Sequence, residues 1–285
     1  MPFELLAPQD PPEAVRLLAA AAPGSVVVLA GGTDLLNDLE TGRVAPRTVL
    51  SLRHLPWREL SRRDGRLRIG SLRPLREVER DPALRAMLPG LYDAIRAVGS
   101  MALRQRATFG GNLGRSSPAS DLLPILLALE AEVGLFGPAG SRRVPLAELL
   151  DRPRQPALRP AELVEWIELP EHAACAYVWQ RVRPANDISQ VGVAVAFSER
   201  AGAWRVALGG APAVPMRLPE AEAPLAAARP DDAALEAASE AAARSAPFGS
   251  DRRASEAYRR LAVRVLTRRA LAQARDGPSA SAGGP

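Results

Sequence analysis

Two glycine-rich segments hold the residues of this chain that are best suited to binding chemistry. The first, Leu29-Ala30-Gly31-Gly32-Thr33-Asp34-Leu35, follows an apolar run at 26–28, and the second is Thr108-Phe109-Gly110-Gly111-Asn112. Glycine lets backbone N–H groups reach an anion without a Cβ in the way, and nearby Thr or Asn side chains add hydrogen bonds. Two such segments suit a long diphosphate ligand better than a single phosphate, which indicates a dinucleotide.

Two familiar nucleotide motifs are absent from the sequence. No G-x-G-x-x-G run opens a helix after a strand, and the chain contains no lysine for a Walker A loop. Each segment also has a purely structural interpretation, because Gly-Gly is a common connection between a strand and a helix. The nucleotide hypothesis depends on the presence of two such segments, each flanked by hydroxyl or amide side chains.

Composition argues against nucleic-acid and metal partners. The net charge of +5 comes from 37 arginines against 32 acids, dispersed among one another, and aromatic residues make up only 4% of the chain. Stacking platforms for single strands are therefore scarce, and we expect no nucleic-acid partner. The single cysteine, Cys175, excludes an internal disulfide and a self-contained cysteine-ligated iron–sulfur or zinc site. Because His54 and His172 are widely spaced, we expect no bound metal.

Hydropathy gives no sign of a membrane or secretory segment. No apolar stretch approaches membrane-spanning length. The N-terminus lacks a basic segment followed by an apolar one. We therefore expect no membrane span and a cytoplasmic protein.

The elements that would position the two segments form an α+β chain of three units. Residues 1–55 are predicted to be a small βαβ unit, 56–172 a larger α+β unit, and 173–276 a third α+β unit ending in two helices. Strands are predicted at 25–29, 48–50, 66–70, 131–136, 162–169, 191–197 and 204–210. The tail, 277–285, is rich in Gly, Ser and Pro and is predicted to be disordered. One apolar stripe of the last helix is predicted to be core packing: Tyr258, Leu261, Ala262, Val265 and Leu266.

Further motifs accompany the two segments in a fixed order. They are Val98-Gly99-Ser100, Ser117-Pro118-Ala119-Ser120-Asp121-Leu122, Ala185-Asn186-Asp187-Ile188, Leu208-Gly209-Gly210-Ala211-Pro212 and Ala254-Ser255-Glu256-Ala257-Tyr258-Arg259-Arg260. Together the motifs resemble the FAD-binding medium subunit of the molybdenum hydroxylases, the family of xanthine dehydrogenase and carbon monoxide dehydrogenase. The similarity covers nearly the whole chain.

This resemblance implies both a fold and a cofactor site. The first two units would be the halves of an FAD-binding domain related to that of vanillyl-alcohol oxidase, with FAD between them, followed by a small α+β C-terminal domain. The implied FAD-binding residues are Leu29, Ala30, Gly31, Gly32, Thr33, Asp34, Leu35 and Leu36 around the diphosphate, Thr108, Gly110, Gly111 and Asn112 from the second half, and Asp121 and Leu163. The FAD would be non-covalent, because no His or Cys lies in a family attachment motif.

Two of these residues have more specific implied roles. Asp121 would bind a ribose or ribityl hydroxyl, and Leu163 would pack near the adenine or the flavin. The residues alone favour Asp121 equally as the cap of the apolar helix from Leu122, because a carboxylate there would accept from unpaired helix N–H groups.

The chain departs from the family pattern at two places. Many relatives carry a cofactor-contacting lysine where this chain has Trp179, eight residues before Asp187. Either Arg181 or Arg183 would supply the missing charge, or the indole would cover the flavin or the adenine. The second departure is Arg73-Pro74, where relatives often have small hydroxyl residues.

By resemblance, the chain is the FAD-binding electron-transfer subunit of a molybdenum hydroxylase. Electrons would pass from a [2Fe-2S] small subunit to the FAD and then to NAD or a quinone, while a molybdenum-cofactor large subunit oxidises the substrate. The complex is expected to be a dimer of heterotrimers, and no catalytic side chain is expected here. The alternatives are a stand-alone flavin oxidase and an assembly subunit that has lost FAD.

Overall fold

The computed structural model describes residues 3–183 and 186–277 in three sheets with helices around them. In the first sheet, three parallel strands lie in the order β1-β3-β2. Its elements are β1 (Glu4–Leu6), α1 (Pro11–Ala20), β2 (Val26–Leu29), α2 (Leu35–Glu40) and β3 (Thr48–Ser51). Asp10 caps α1 by accepting from the N–H of Glu13, and Pro11 occupies the first helical position, where its missing N–H costs nothing.

The second sheet has five antiparallel strands in the order β4-β5-β8-β6-β7. Its strands are β4 (Leu60–Arg63), β5 (Arg66–Gly70), β6 (Glu132–Gly137), β7 (Gly140–Pro145) and β8 (Leu163–Pro170). Six helices lie between β5 and β6, namely α3 (Leu75–Glu79), α4 (Leu84–Met87), α5 (Pro89–Ala97), α6 (Met101–Arg104), α7 (Phe109–Arg115) and α8 (Leu122–Ala128). A short 3₁₀ helix, Leu146–Leu149, follows β7.

The third sheet has four antiparallel strands in the order β12-β11-β10-β9 and packs against the last helices. Its elements are β9 (Cys175–Gln180), β10 (Val191–Ser198), β11 (Ala203–Gly209), β12 (Met216–Arg217), α9 (Pro219–Glu222), α10 (Asp232–Ser245) and α11 (Glu256–Asp276). Asp231 and Ser255 cap α10 and α11 through their side chains. The segment 278–285, and with it most of the expected disordered tail, lies outside the described residues.

Buried side chains join the units into one body. Every residue of α8 is buried, because this helix packs on α5 and α7 on one side and on β10 and β11 on the other. The first sheet shares a core with the second through Trp57, Leu72 and Leu163. The strand β2 therefore ends, and its glycine-rich turn begins, close to the helices of the second unit.

The predicted core stripe of the last helix is largely wrong. In α11, Tyr258 is 41% exposed, Leu261 60% and Val265 39%, whereas Leu266 is buried. The core-facing side of α11 is instead formed by Val263, Leu266, Ala270 and Leu271, together with Arg259 and Thr267. Two overlapping sets of apolar residues have helical spacing here, and the expected set was the wrong one.

Candidate functional site

A large cleft of about 1670 Å³ opens where the three units meet. It exceeds the roughly 300–1,000 Å³ of pockets for drug-sized ligands, so it can hold an extended ligand. The glycine-rich turn after β2 and the start of α7 form two of its walls. Residues 186–188, 210–213 and 247–251 of the third unit form another.

The first glycine-rich turn presents a row of backbone donors to this cleft. Gly32 has φ +82°, a left-handed conformation that favours glycine, and its carbonyl accepts from Leu36 at 3.0 Å to begin α2. Within the described chain, the N–H groups of residues 31–35 have no protein acceptor. Successive free amides at a helix start form a concave anion site, as a diphosphate requires. The sequence-based assignment of this turn therefore has a physical basis.

Gly31 is where the turn rests on the second unit. A Cβ at this position would lie 2.0 Å from the Arg106 carbonyl oxygen and 3.2 Å from Ala107 Cα. No side chain fits in that space, so only glycine lets the turn come this close to the segment before α7. The residue thus fixes the distance between the two halves of the cleft.

The second glycine-rich segment is built differently, because its amides are already bonded. The Gly110 N–H donates to the Ser71 carbonyl at 2.9 Å, and the Gly111 N–H donates to Thr108 Oγ1 at 3.0 Å, which caps α7. The expectation that both amides would serve an anion is therefore wrong in this structure. A Cβ on Gly111 would lie 3.7 Å from the Ala30 Cβ, so this residue packs closely against the first turn, and both residues line the cleft.

Asn112 and Ser120 form the next stretch of the wall. The Ser120 hydroxyl donates to Asn112 Oδ1 at 2.7 Å and accepts from the N–H groups of Leu122 and Leu123 at 3.2 Å. Ser120, rather than Asp121, therefore caps α8, and the capping interpretation of Asp121 is wrong.

Asp121 lines the cleft but is held from behind by three side chains. Its Oδ1 accepts from the Tyr177 hydroxyl at 2.7 Å and from Ser189 Oγ at 2.5 Å, while Oδ2 accepts from Arg181 at 3.1 Å. Burial raises the pKa of Asp121, and the Arg181 charge and the hydroxyl donors oppose that rise. Burial and the adjacent carboxylate also raise the pKa of Tyr177, so its phenol remains protonated and donates.

The other expected site residues divide between the cleft and its surroundings. Those that line the cleft are Ala30, Gly31, Gly32, Thr33, Asp34, Leu35, Thr108, Gly110, Gly111, Asn112, Asp121 and Leu163. Leu29 and Leu36 do not line it. Their side chains instead bracket Gly32, each with a methyl carbon 3.2 Å from where its Cβ would stand.

Trp179 lies behind the wall, outside the cleft lining. Its ring stacks on Tyr177 at a centroid distance of 5.6 Å, and the Arg181 guanidinium lies 5.3 Å from its centroid. The idea that the indole covers the cofactor therefore has no support in this geometry. Arg181 is buried beside Asp121, whereas Arg183 is exposed and pairs with Asp187.

Sequence reasoning missed several residues of the cleft wall. Arg154 lines the cleft with a left-handed backbone, φ +60°, and its N–H donates to the Ser116 carbonyl at 3.0 Å. Its only sequence signal was its place in an Arg- and Pro-rich loop. The third-unit wall did carry a signal, because Asn186–Ile188 and Gly210–Pro212 belong to the motifs of the resemblance.

The described residues contain no cluster of three or more His, Cys, Asp or Glu side chains suited to a metal. Burial raises the pKa of Cys175 to about 12, so its thiol stays protonated. Nor does any helix in the described part of the chain have the length and apolarity needed to cross a membrane.

Comparisons with known proteins agree with this fold and cleft. The model of the FAD binding domain in molybdopterin dehydrogenase matches residues 1–172, and that of the CO dehydrogenase flavoprotein C-terminal domain matches residues 176–274. The chain is 30% identical to the putative xanthine dehydrogenase FAD-binding subunit XdhB of Escherichia coli (strain K12), over 92% of each chain. It is also 30% identical to the glyceraldehyde dehydrogenase medium chain of Sulfolobus acidocaldarius, over 85% of this chain and 88% of the relative.

A solved structure shows the same similarity in three dimensions. The structure of carbon monoxide dehydrogenase from Hydrogenophaga pseudoflava, lacking the Mo-pyranopterin moiety, contains a chain with TM-score 0.88 and 26% identity, covering 96% of this chain and 97% of that one. This chain therefore belongs to the family of FAD-binding subunits of molybdenum hydroxylase-type dehydrogenases. It is an oxidoreductase subunit with FAD as its cofactor, and the predicted α+β class with an FAD-binding and a C-terminal domain is confirmed.

Proposed function

We propose that this chain is the electron-transfer subunit that accepts electrons from a [2Fe-2S] small subunit and delivers them to an external acceptor such as NAD or a quinone. The observation that carries the proposal is the cleft of about 1670 Å³, which is large enough for a dinucleotide and is lined by residues 31–35, whose amides have no acceptor in the described chain. When bound there, FAD supplies one-electron and hydride chemistry. The iron–sulfur clusters belong to a partner in this proposal, because one cysteine cannot ligate them.

Each wall of the cleft would have a distinct role in holding FAD. The amides of residues 31–35 would bind the diphosphate, since backbone donors to a charged group each contribute about 1.5–3 kcal/mol. The second segment would form the adjoining wall, because Gly111 lets α7 lie close to Ala30 of the first turn. Leu163 would contact the adenine or the flavin. Val98, which also lines the cleft, would help to exclude water from it.

Non-covalent binding can be tested directly. We expect acid precipitation of the purified complex to release FAD into the supernatant, because Cys175 is buried as a thiol and does not line the cleft. Chromatography of the supernatant identifies the flavin. Flavin that remains with the precipitated protein would contradict this expectation. A complex that purifies without flavin would favour the assembly-subunit alternative.

The partner in this proposal docks near α6. Met101 is 57% exposed and Leu103 36%, and Leu103 also lines the cleft, so an apolar patch lies at the cleft edge. Stable interfaces bury about 1,200–2,000 Å² in total and have an apolar centre. The Leu75 N–H donates to the Ala107 carbonyl just after α6. A docking surface on α6 therefore lies next to the Arg73-Pro74 segment, which immediately precedes Leu75. We propose a dimer of heterotrimers that also contains the molybdenum-cofactor subunit.

Met101→Asp is expected to weaken assembly with the iron–sulfur subunit while FAD content stays at the wild-type level. A charge in the centre of an apolar interface is left desolvated and unpaired, which costs several kcal/mol in binding. Co-purification of the co-expressed subunits measures the effect. Leu261→Asp, an equally exposed apolar position on α11, is the matched control and should leave assembly intact. The reverse pattern would place the interface on α11 instead.

The same preparations distinguish the stand-alone oxidase. Once its flavin has been reduced, the isolated chain should pass the electrons on to artificial dyes. It should oxidise no organic substrate by itself. Turnover of an organic substrate by the monomer would contradict the electron-transfer proposal.

A further inference from the structure

A single buried guanidinium holds three parts of the cleft together. Arg181 follows β9, and its side chain is only 6% exposed. It donates to the Ala97 carbonyl at 2.5 Å, to Asp121 Oδ2 at 3.1 Å and to Ser189 Oγ at 3.2 Å. These three acceptors come from different segments, two in the second unit and one in the third.

Each of the three acceptors adjoins residues that line the cleft. Ala97 ends α5, and the lining residues Val98–Ser100 come next, with Gly99 at φ +48°. Asp121 itself lines the cleft at the start of α8. Ser189 follows the lining residue Ile188 in the third unit. Arg181 itself does not line the cleft, so any effect on a ligand must pass through these segments.

The bonding geometry suits arginine specifically. A planar guanidinium presents five N–H donors in fixed directions, whereas a lysine ammonium is a compact charge that cannot reach the same three acceptors. Arg181 is also the cation nearest to the buried carboxylate of Asp121, whose other oxygen is bonded to Tyr177 and Ser189. Removing Arg181 leaves that carboxylate buried without a counter-charge, which is strongly unfavourable.

We propose that Arg181 is a positioning residue for the FAD site: it fixes the wall segments at 98–100, 121 and 188 relative to one another where the second and third units join. The inference rests on FAD occupying this cleft. It adds a residue that determines the affinity for FAD and the surroundings of the bound flavin. Arg181 acts through Ala97, Asp121 and Ser189 rather than by touching the cofactor.

The experiment compares Arg181→Met with a control at another contact between the same two units. Arg205 of β11 pairs with Glu130 after α8 at 2.9 Å, also with low exposure, and neither residue lines the cleft. Arg181→Met should raise the dissociation constant of FAD at least tenfold and change the visible circular dichroism of the bound flavin. Arg205→Met should lower the melting temperature yet leave both flavin measurements unchanged.

Two milder variants keep the proposal testable if Arg181→Met does not fold. Arg181→Lys and Ser189→Ala should each shift the flavin dichroism in the same direction by a smaller amount. Wild-type FAD affinity and dichroism in the Arg181 variants would overturn the positioning role, as would equal flavin effects from Arg205→Met. Wild-type protein that binds no FAD would instead contradict the FAD site as a whole.

Discussion

Gly31→Ala should abolish FAD binding, although it adds only one methyl group. The added Cβ would lie 2.0 Å from the Arg106 carbonyl oxygen and 2.8 Å from its carbon, distances that no rotamer change can relieve. The turn after β2 must therefore move away from the segment before α7 and take its amides with it. Because several charge-assisted contacts of about 1.5–3 kcal/mol each depend on these amides, a loss of at least a thousandfold in affinity is expected.

Gly90→Ala is the matched control for this effect. A Cβ at Gly90 would also meet backbone, 2.9 Å from the Ala176 Cα, but Gly90 does not line the cleft, so this variant should lower the melting temperature and leave FAD affinity unchanged. Flavin fluorescence titration of both variants measures the difference. Normal affinity in Gly31→Ala would mean that the first turn is only a connection between β2 and α2.

The sequence predicted the inner strands of each sheet but missed five of the six edge strands. The strands β1, β4, β7, β9 and β12 had no prediction, and all five are edge strands, whereas the sixth edge strand, β2, was predicted from its apolar run. Edge strands are short or charged because they need not be buried on both faces, and the Ser-Arg-Arg sequences of β4 and β7 show this. The apolar runs of β8, β10 and β11 were predicted because buried strands leave a strong signal.

The cleft could be predicted only in part for a related reason. Glycines mark the two turns at the level of residue type, so Gly31 and Gly111 were found. The sequence could not predict which of the two turns has free amides. The amides of the second segment are already bonded, because Ser71 and Thr108 accept from them. The bonding of Asp121 to Arg181 was likewise hidden, since it joins residues 60 positions apart. Contacts between distant segments are set by tertiary packing, which leaves no local pattern.

The largest loss of stability is expected from Arg104→Met, behind the cleft-lining residues 98–100. Arg104 pairs with the buried Glu79 at 2.9 Å and donates to the carbonyls of Arg96, Val98 and Gly99 at 3.1–3.3 Å. Breaking one side of a buried pair costs about 3–5 kcal/mol. Arg76, which contacts Glu79 at 2.8 Å and remains in the variant, points to the lower end of that range. Arg76→Met, at a more exposed position, should cost about 1 kcal/mol and serves as the control.

The dependence of this loss on pH follows from Glu79. Burial by itself raises the pKa of Glu79, but the hydrogen bonds from Arg104 and Arg76 outweigh it and hold the pKa below the ordinary value of a glutamate. A carboxylate with a lowered pKa stabilises the fold fully above its unfolded pKa, and that contribution is lost as the pH falls through the folded pKa. The difference in urea midpoint between wild type and Arg104→Met should therefore be full at pH 7 and should shrink at acid pH, as the pH falls through the lowered pKa of Glu79. A difference in urea midpoint that is the same at pH 7 and at acid pH would show that Arg104 stabilises the fold through the carbonyls of residues 96–99 and not through its charge.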